Sequence, residues 1–418
     1  MVNKLKKYRF DELYDMSSGI SSKPEQAGHG FPFVSFSTIF NNVFLPNELD
    51  ELMNTSIKER QIYSVKKGDI FLTRTSETLD ELGMSSVALK DYPDATFSGF
   101  SKRLRPKEEG LVDSKFIGFY LRSYLFRKAM NNNAIMTLRA SFNEQIFSYL
   151  ELLLPTFEVQ CKIGELLYNI YEKIEVCNSL INQIENMSMS IFDYWFIQFD
   201  FPNISIKPYK TSGGEMFYSK ELNRKIPDGW KTITLGDFCE IYQPKTISQK
   251  VMDANASYLV YGSNGIIGKY SKFNHEDSEV VVSCRGACGN IHRTRPKSWI
   301  TGNSMVFKIK NKNINNEFIY HSLRWLNLKN SSTGSVQGQL TRTNVSVHNI
   351  VLPDEKIIKK YNNIVAPLVE KKLLLFAEID KYQNLLDWLT PLLINGQVTF
   401  KEAQKHINQA AEPQEDYG

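Results

Sequence analysis

The chain has 418 residues, of which 42% are hydrophobic, 12% aromatic and 23% charged, with a formal net charge of +4. That composition supports a folded globular chain with ample core and excludes a disordered or low-complexity one. There is no run of eighteen apolar residues, which argues against a membrane partner. The basic opening "MVNKLKKYRF" runs into polar, acidic sequence rather than an apolar signal core, so the expected location is cytoplasmic. Cys161, Cys177, Cys239, Cys284 and Cys288 are scattered and odd in number, which suits a reducing compartment rather than a disulfide framework. With so small a net charge, any nucleic-acid surface must be local.

Taken in chain order, the sequence says one thing twice. "YRFDELYDMSSG" (8–19) resembles "ITLGDFCEIYQP" (233–244), with Phe10 on Leu235, Glu12 on Asp237, Asp15 on Glu240 and Met16 on Ile241 at an offset of 225. "QIYSVKKGDIFLTRTS" (61–76) reads as a turn at Lys67-Gly68 and then an apolar strand, 70–72; "SEVVVSCRGACGNIHRT" (278–294) has the same form. Helices are expected at 114–130, capped by Asp113, and at 315–328. "LRASF" (138–142) lies over "VQGQL" (336–340) at an offset of 198. At that same offset Pro155 falls on Pro353, Lys162 on Lys360, and Glu172-Lys173 on Glu370-Lys371.

Each copy ends in a long amphipathic helix. After Pro155 apolar residues recur at 159, 163, 166, 170, 174, 177, 181, 184, 187 and 191, steps of three and four. With Thr156 as N-cap, this helix should run to about Phe196, or ~60 Å at the usual rise. The second starts at Asp354, should be kinked or interrupted at Pro367, and ends near Pro391 and Gly396. Between the copies, 201–229 is rich in Pro, Gly and Ser and reads as a linker. The implied fold is mixed α/β (α+β): a tandem duplication of a globular domain plus a helix, the two helices packing as an antiparallel coiled coil.

Reaction chemistry is hard to find. "YGSNGIIGKYS" mimics a phosphate loop, but Gly262 and Gly268 are separated by five residues rather than four, and Tyr270 stands where Ser or Thr would hold magnesium. It reads as a Gly-rich turn between strands. Cys284, Cys288 and His292 are four apart, yet two glycines and a preceding strand break the helical face that zinc ligation would need. Pro93-Asp94 with Asp113 and Lys115 can be forced into a nuclease pattern, but Asp113 reads better as a helix cap. No metal, nucleotide or other cofactor, and no catalytic residue, is assigned to this chain.

What remains is basic and polar chemistry at strand ends and in loops. In the first half these residues are Arg74, Thr75, Ser76, Lys102, Arg103, Arg105 and Arg139. In the second they are Ser263, Asn264, Lys269, Arg285, His292, Arg293, Arg295, Gln337, Gln339, Thr341 and Arg342. Arginine reads guanine edges, Asn and Gln read adenine edges, and lysine anchors phosphates. Two such sets, one per half, point to double-stranded DNA.

Three stretches carry a family resemblance: "LLLPTFEVQCKIGELLYNIYEKIEVCNSLINQI", "FDYWFIQFDFPNISIKPYKTSGGEMFYSKELNRKIPDGW" and "LLDWLTPLLINGQV". With them the whole chain resembles the specificity subunit of a type I restriction-modification system. The resemblance implies target recognition domains at 1–154 and, after the linker, 201–352. It implies spacer helices at 155–200 and 353–396, and a tail at 397–418. It also implies a non-catalytic subunit that reads an asymmetric bipartite site for phage defence. Two methylation subunits would bring S-adenosylmethionine, and a restriction/translocase subunit would use ATP and magnesium. The helix positions expected to serve subunit contacts are Glu172, Lys173, Ile181, Ile184, Glu370, Lys371, Ile379 and Tyr382. Groove-reading modules one DNA turn apart stand at ~34 Å, within the reach of such a helix pair. The competing expectation is a coiled-coil assembly scaffold that binds no DNA; a fused single-chain restriction enzyme lacks the motifs and the length.

Overall fold

A computed structural model describes residues 5–21, 23–76, 82–133, 135–136, 140–141, 150–286, 288–326, 328–331, 339–398, 400 and 402. The chain divides into two units: residues 1–176 with 378–418, and residues 177–377.

The two units share their main strand pairings. The first closes its ends by pairing Lys6–Arg9 antiparallel to Glu151–Leu154, with Lys6 opposite Leu154. The second pairs Lys231–Thr234 with Asn349–Leu352, with Lys231 opposite Leu352. Those are the partners expected from the two sequence offsets, 225 at the start of the copies and 198 at their ends. Phe10 and Leu235 each open a four-residue helix and are fully buried. Their N–H groups donate to Leu150 and His348, again equivalent positions.

Each unit is built on a four-stranded antiparallel sheet. In the first the order is Tyr14–Ser18, Ser101–Pro106, Ile70–Thr73, Ser85–Val87; in the second it is Cys239–Tyr242, Ser304–Ile309, Val280–Ser283, Ile291–Arg293. The expected apolar runs are the inner strands Ile70–Thr73 and Val280–Ser283, buried along their whole length. A second, three-stranded sheet also recurs, its central strand (Ala27–Val34; Tyr258–Gly262) flanked by one antiparallel and one parallel neighbour.

The helices expected after the sheets are Ser114–Arg122, followed by Tyr124–Asn133, and Asn316–Leu326. Asp113 caps the first by accepting from the Phe116 N–H at 2.8 Å. The side chain of Asn315 does the same for the Glu317 N–H at 2.9 Å.

The first long helix spans Phe157–Phe192 and ends in a π-helical turn at Asp193–Ile197; the second spans Glu355–Ile394. Asp354 caps the second, taking the Ile357 N–H at 2.9 Å. Within the first unit Ile163, Leu167, Ile170 and Ile174 share one core with Leu386, Leu389 and Leu393. Within the second, Glu185 meets Lys372, and Phe196 meets Tyr361 the same number of residues further back. The helices are therefore antiparallel.

Three expectations are corrected. Pro367 does not interrupt the second helix. Proline deprives only the Asn363 carbonyl of its N–H partner, and both residues lie on the exposed side, where water can serve it. Pro391 also falls inside that helix, which stops at Gly396 (φ +67°), whose N–H returns to Leu393. The segment 201–229 is not a bare linker. It holds the hairpin Met216–Ser219/Arg224–Pro227, and Phe201 stacks on Tyr209 and Trp230 at 4.6 and 4.8 Å. Burial of these rings decides the conformation over the local turn chemistry. Among the described residues, no helix is long and apolar enough to cross a membrane.

Candidate nucleic-acid interface

The inner strand of each main sheet ends in a loop, and the two loops leave the sheet in the same way. Thr73 donates its N–H to Met84 and Ser283 donates to Asn290, at 2.9 and 2.8 Å. Each loop then closes on a glycine in the left-handed region, Gly83 (φ +63°) or Gly289 (φ +83°), whose N–H returns to Thr73 or Ser283. A Cβ at Gly289 would stand 3.1 Å from the Lys329 backbone nitrogen, so both conformation and space require glycine there.

Arg74 opens the first loop and is exposed; its N–H donates to the Phe100 carbonyl at 2.9 Å. Cys284 holds the equivalent place and donates to Asn303 at 2.9 Å, followed by exposed Arg285. The Phe100 ring is 67% exposed and Asn303 is exposed. Sequence reasoning missed both. The signal for Phe100 was a large aromatic between Gly99 and Ser101, in a turn rather than in the alternating pattern of a strand.

Nearby in the second unit, Ser263-Asn264 forms the two-residue turn of the hairpin Tyr258–Gly262/Gly265–Tyr270. Gly265 takes φ +88°. This is the Gly-rich turn expected from "YGSNGIIGKYS". The Ser263 carbonyl accepts from the Ser283 hydroxyl and lies 3.4 Å from His292 Nε2, which ties the turn to the sheet. Asn264 and Lys269 point outward, as do the apolar Ile266 and Ile267, two more residues missed from sequence. Arg342 is exposed on the short helix Arg342–Ser346, capped by Thr341, while Gln339 is half-buried.

Other candidates are turned inward. Lys102, Arg103 and Arg105 lie within the strand Ser101–Pro106, not at its end. Lys102 Nζ donates to Ser18 Oγ at 2.7 Å. Arg103 donates to the Ser64 carbonyl at 2.6 Å, and burial, with Arg105 beside it, lowers its pKa. Arg105 makes a two-pronged pair with the fully buried Asp69 carboxylate, Nε to Oδ1 at 2.7 Å and Nη2 to Oδ2 at 2.6 Å. The Asp69 hydrogen bond raises the Arg105 pKa. Arg293 pairs with Glu317 at 3.3 Å, and the Arg295 guanidinium stacks on Phe376 at 4.2 Å. Thr75 and Ser76 form a short strand pairing with Ala140–Ser141. Arg139 and Gln337 lie outside the described residues.

The cysteine group is occupied with local contacts. Cys284 Sγ, its pKa raised by burial, accepts from Gln243 at 2.9 Å, and Cys288 Sγ donates to the Cys284 carbonyl at 3.2 Å. Among the described residues, no group of three His, Cys, Asp or Glu could hold a metal.

Of the helix positions expected to serve subunit contacts, Glu172, Lys173, Glu370 and Lys371 are exposed. Ile181 is buried, Ile184 half-buried, and Ile379 and Tyr382 pack against the core of the first unit.

A family description, the type I restriction modification DNA specificity domain, matches residues 4–186 and 227–375, one stretch in each copy of the repeat. The chain belongs to this family of type I restriction-modification specificity subunits. Its relatives include the specificity subunit of the type I restriction enzyme MjaIX of Methanocaldococcus jannaschii, 22% identical over 90% of this chain and 89% of that one. Another is the HindI specificity subunit of Haemophilus influenzae, 22% identical over 92% and 98%. The crystal structure of a type I restriction-modification S subunit from M. genitalium shares the fold, with a TM-score of 0.55, 16% identity and coverage of 93% and 96%.

Within the second unit, this specificity subunit also contains a cavity of about 310 Å³ whose lining includes Arg293, Arg295, Glu317, Lys372 and Glu185. Burial alone would raise the Glu317 pKa, but the His321 hydrogen bond and the charges of Arg293 and Lys372 outweigh it and hold the carboxyl at about 2.

Proposed function

We propose that this specificity subunit reads an asymmetric, bipartite double-stranded DNA site and carries no catalytic residue of its own. Two methylation subunits and a restriction/translocase subunit dock on it, bringing S-adenosylmethionine, ATP and magnesium. The observation that carries this reading is the pair of equivalent loops, which leave equivalent strands with unlike side chains. The first presents Arg74 beside Phe100; the second presents Arg285 beside Asn303, with Asn264 on the adjacent turn. Two unlike readers on one repeated frame call for two unlike half-sites. Arginine suits guanine, asparagine suits adenine, and exposed apolar groups suit thymine methyls. The exposed charges Glu172, Lys173, Glu370 and Lys371 offer the helices to partner subunits.

The test is to co-express the chain with a methylation subunit in a methylation-free host and map modified adenines across the genome. A split motif with two unlike halves and one fixed gap is expected. Replacing residues 1–154 by those of a relative should change one half only. No methylation from a soluble, assembled complex would leave the competing reading, a scaffold that binds no DNA.

A further inference from the structure

The two units solve one packing problem with opposite chemistry. At the sheet edge next to the long helices, the first unit places Val87, Phe119 and Ile174, all buried in one apolar core. The equivalent positions by strand register, helix cap and sequence offset are Arg293, His321 and Lys372. All three surround Glu317. Arg293 Nη1 lies 3.3 Å from Oε1, His321 Nε2 3.5 Å from Oε2, and Lys372 Nζ 4.0 Å from Oε1. Lys372 also reaches Glu185 at 3.4 Å. One carboxylate therefore ties together the edge strand Ile291–Arg293, the helix Asn316–Leu326 and both long helices. Its side chain is only 3% exposed and that of Lys372 only 6%.

Stability does not explain this arrangement. A buried ion cluster is often no more stable than a well-packed apolar one, and the first unit fills three of the four equivalent positions with apolar side chains, while Lys115, at the place of Glu317, turns to Glu165 on the long helix instead. An apolar seat tolerates small slides and rolls. An ion cluster does not, because each displaced charge is left buried without its partner. The edge strand it holds leads directly to the reading surface. His292, next to Arg293, lies against the Ser263 carbonyl, and the neighbouring strand Val280–Ser283 runs out to Arg285.

We infer that Glu317 is a positioning residue: through Arg293 and Lys372 it sets the angle at which the second recognition domain sits on its helix segments, and so the gap and register at which that domain reads its half-site. This inference rests on the DNA-reading function proposed above.

The experiment measures methylation by the assembled complex at its own split site and at sites with the gap one base pair longer or shorter, using wild type, Glu317→Gln and Lys372→Met. The first keeps side-chain length, the second shortens it by one atom, and both remove a charge. The expected result is a fall of about tenfold or more in the preference for the natural gap, with the first half-site read as before. A preference within about twofold of wild type in both variants, in complexes that assemble and melt like wild type, would overturn the inference. Loss of stability alone would not produce the expected pattern, because it lowers methylation at all gaps together. Should Glu317→Gln fail to assemble, Lys372→Met decides the question by the same ratio. A wild-type complex that methylates no split site would sink the DNA reading itself. A wild-type split site with unchanged variants sinks only the role of Glu317.

Discussion

At the residue scale, the arginines of the first domain separate into structural and available ones. Arg105 holds the carboxylate of Asp69, which has no exposed side-chain surface. Removing the guanidinium leaves that charge buried with only the Lys66 N–H to answer it, a loss of about 3 kcal/mol. Arg74 is exposed at the start of a loop, where substitution changes stability by about 0.5 kcal/mol or less. Urea unfolding should therefore show Arg105→Ala strongly destabilised and Arg74→Ala unchanged. In DNA-binding assays, Arg74→Ala should cost about 1–3 kcal/mol and relax the base preference at one position of one half-site. A stable Arg105→Ala protein would show that the pair with Asp69 carries no such weight. The sequence could not sort these residues. Along a strand alternation marks two faces, but a charged residue reads as solvent-facing until its buried partner is known, and Asp69 lies on a different strand connection, 36 residues earlier.

At the element scale, the long helices hold through packing rather than local preference. A 40-residue helix runs through Pro367 because the apolar side chains on its buried face hold both flanks. The cost of the proline remains, so Pro367→Ala should stabilise the protein by about 1–3 kcal/mol, seen as a raised thermal midpoint. An unchanged midpoint would mean that the helix already relieves the strain locally. Close approach matters as much as the apolar stripe. A Cβ on Gly164 would fall 2.6 Å from the Phe116 backbone nitrogen, so this glycine lets the first long helix lie against the start of Ser114–Arg122. The stripe, the Asp354 cap and the stop at Gly396 were legible in sequence, because steps of three and four are dictated by helix geometry. The packing of 201–229 was not, since turn-rich composition hides the burial of Phe201 and Trp230.

At the scale of the whole molecule, the duplicated units share a fold, and acid acts on Glu317 with the opposite sign to its action on Asp113 and Glu279, whose pKa values burial raises. Glu317 in the second unit is held at about 2 against an ordinary 4.5, so its stabilisation is complete above 4.5 and is lost as pH falls through that value toward 2. Burial raises the Asp113 pKa in the first unit above 3.8, so the sign reverses: its cost is felt at higher pH and relieved in acid. Hydrogen exchange followed from pH 5 to pH 3 should therefore show protection falling first within 177–377, and Glu317→Gln should remove that pH-dependent part. Earlier loss in the first unit would contradict the assignment. The sequence by itself determined the tandem repeat, both offsets, the helix pattern and the family, because periodicity and repetition are properties of the chain's order. Only the tertiary structure decided which cations stay exposed and which hold the sheet together. That depends on partners brought from distant strands, and on whether equivalent seats in the two units are filled with apolar groups or with ions.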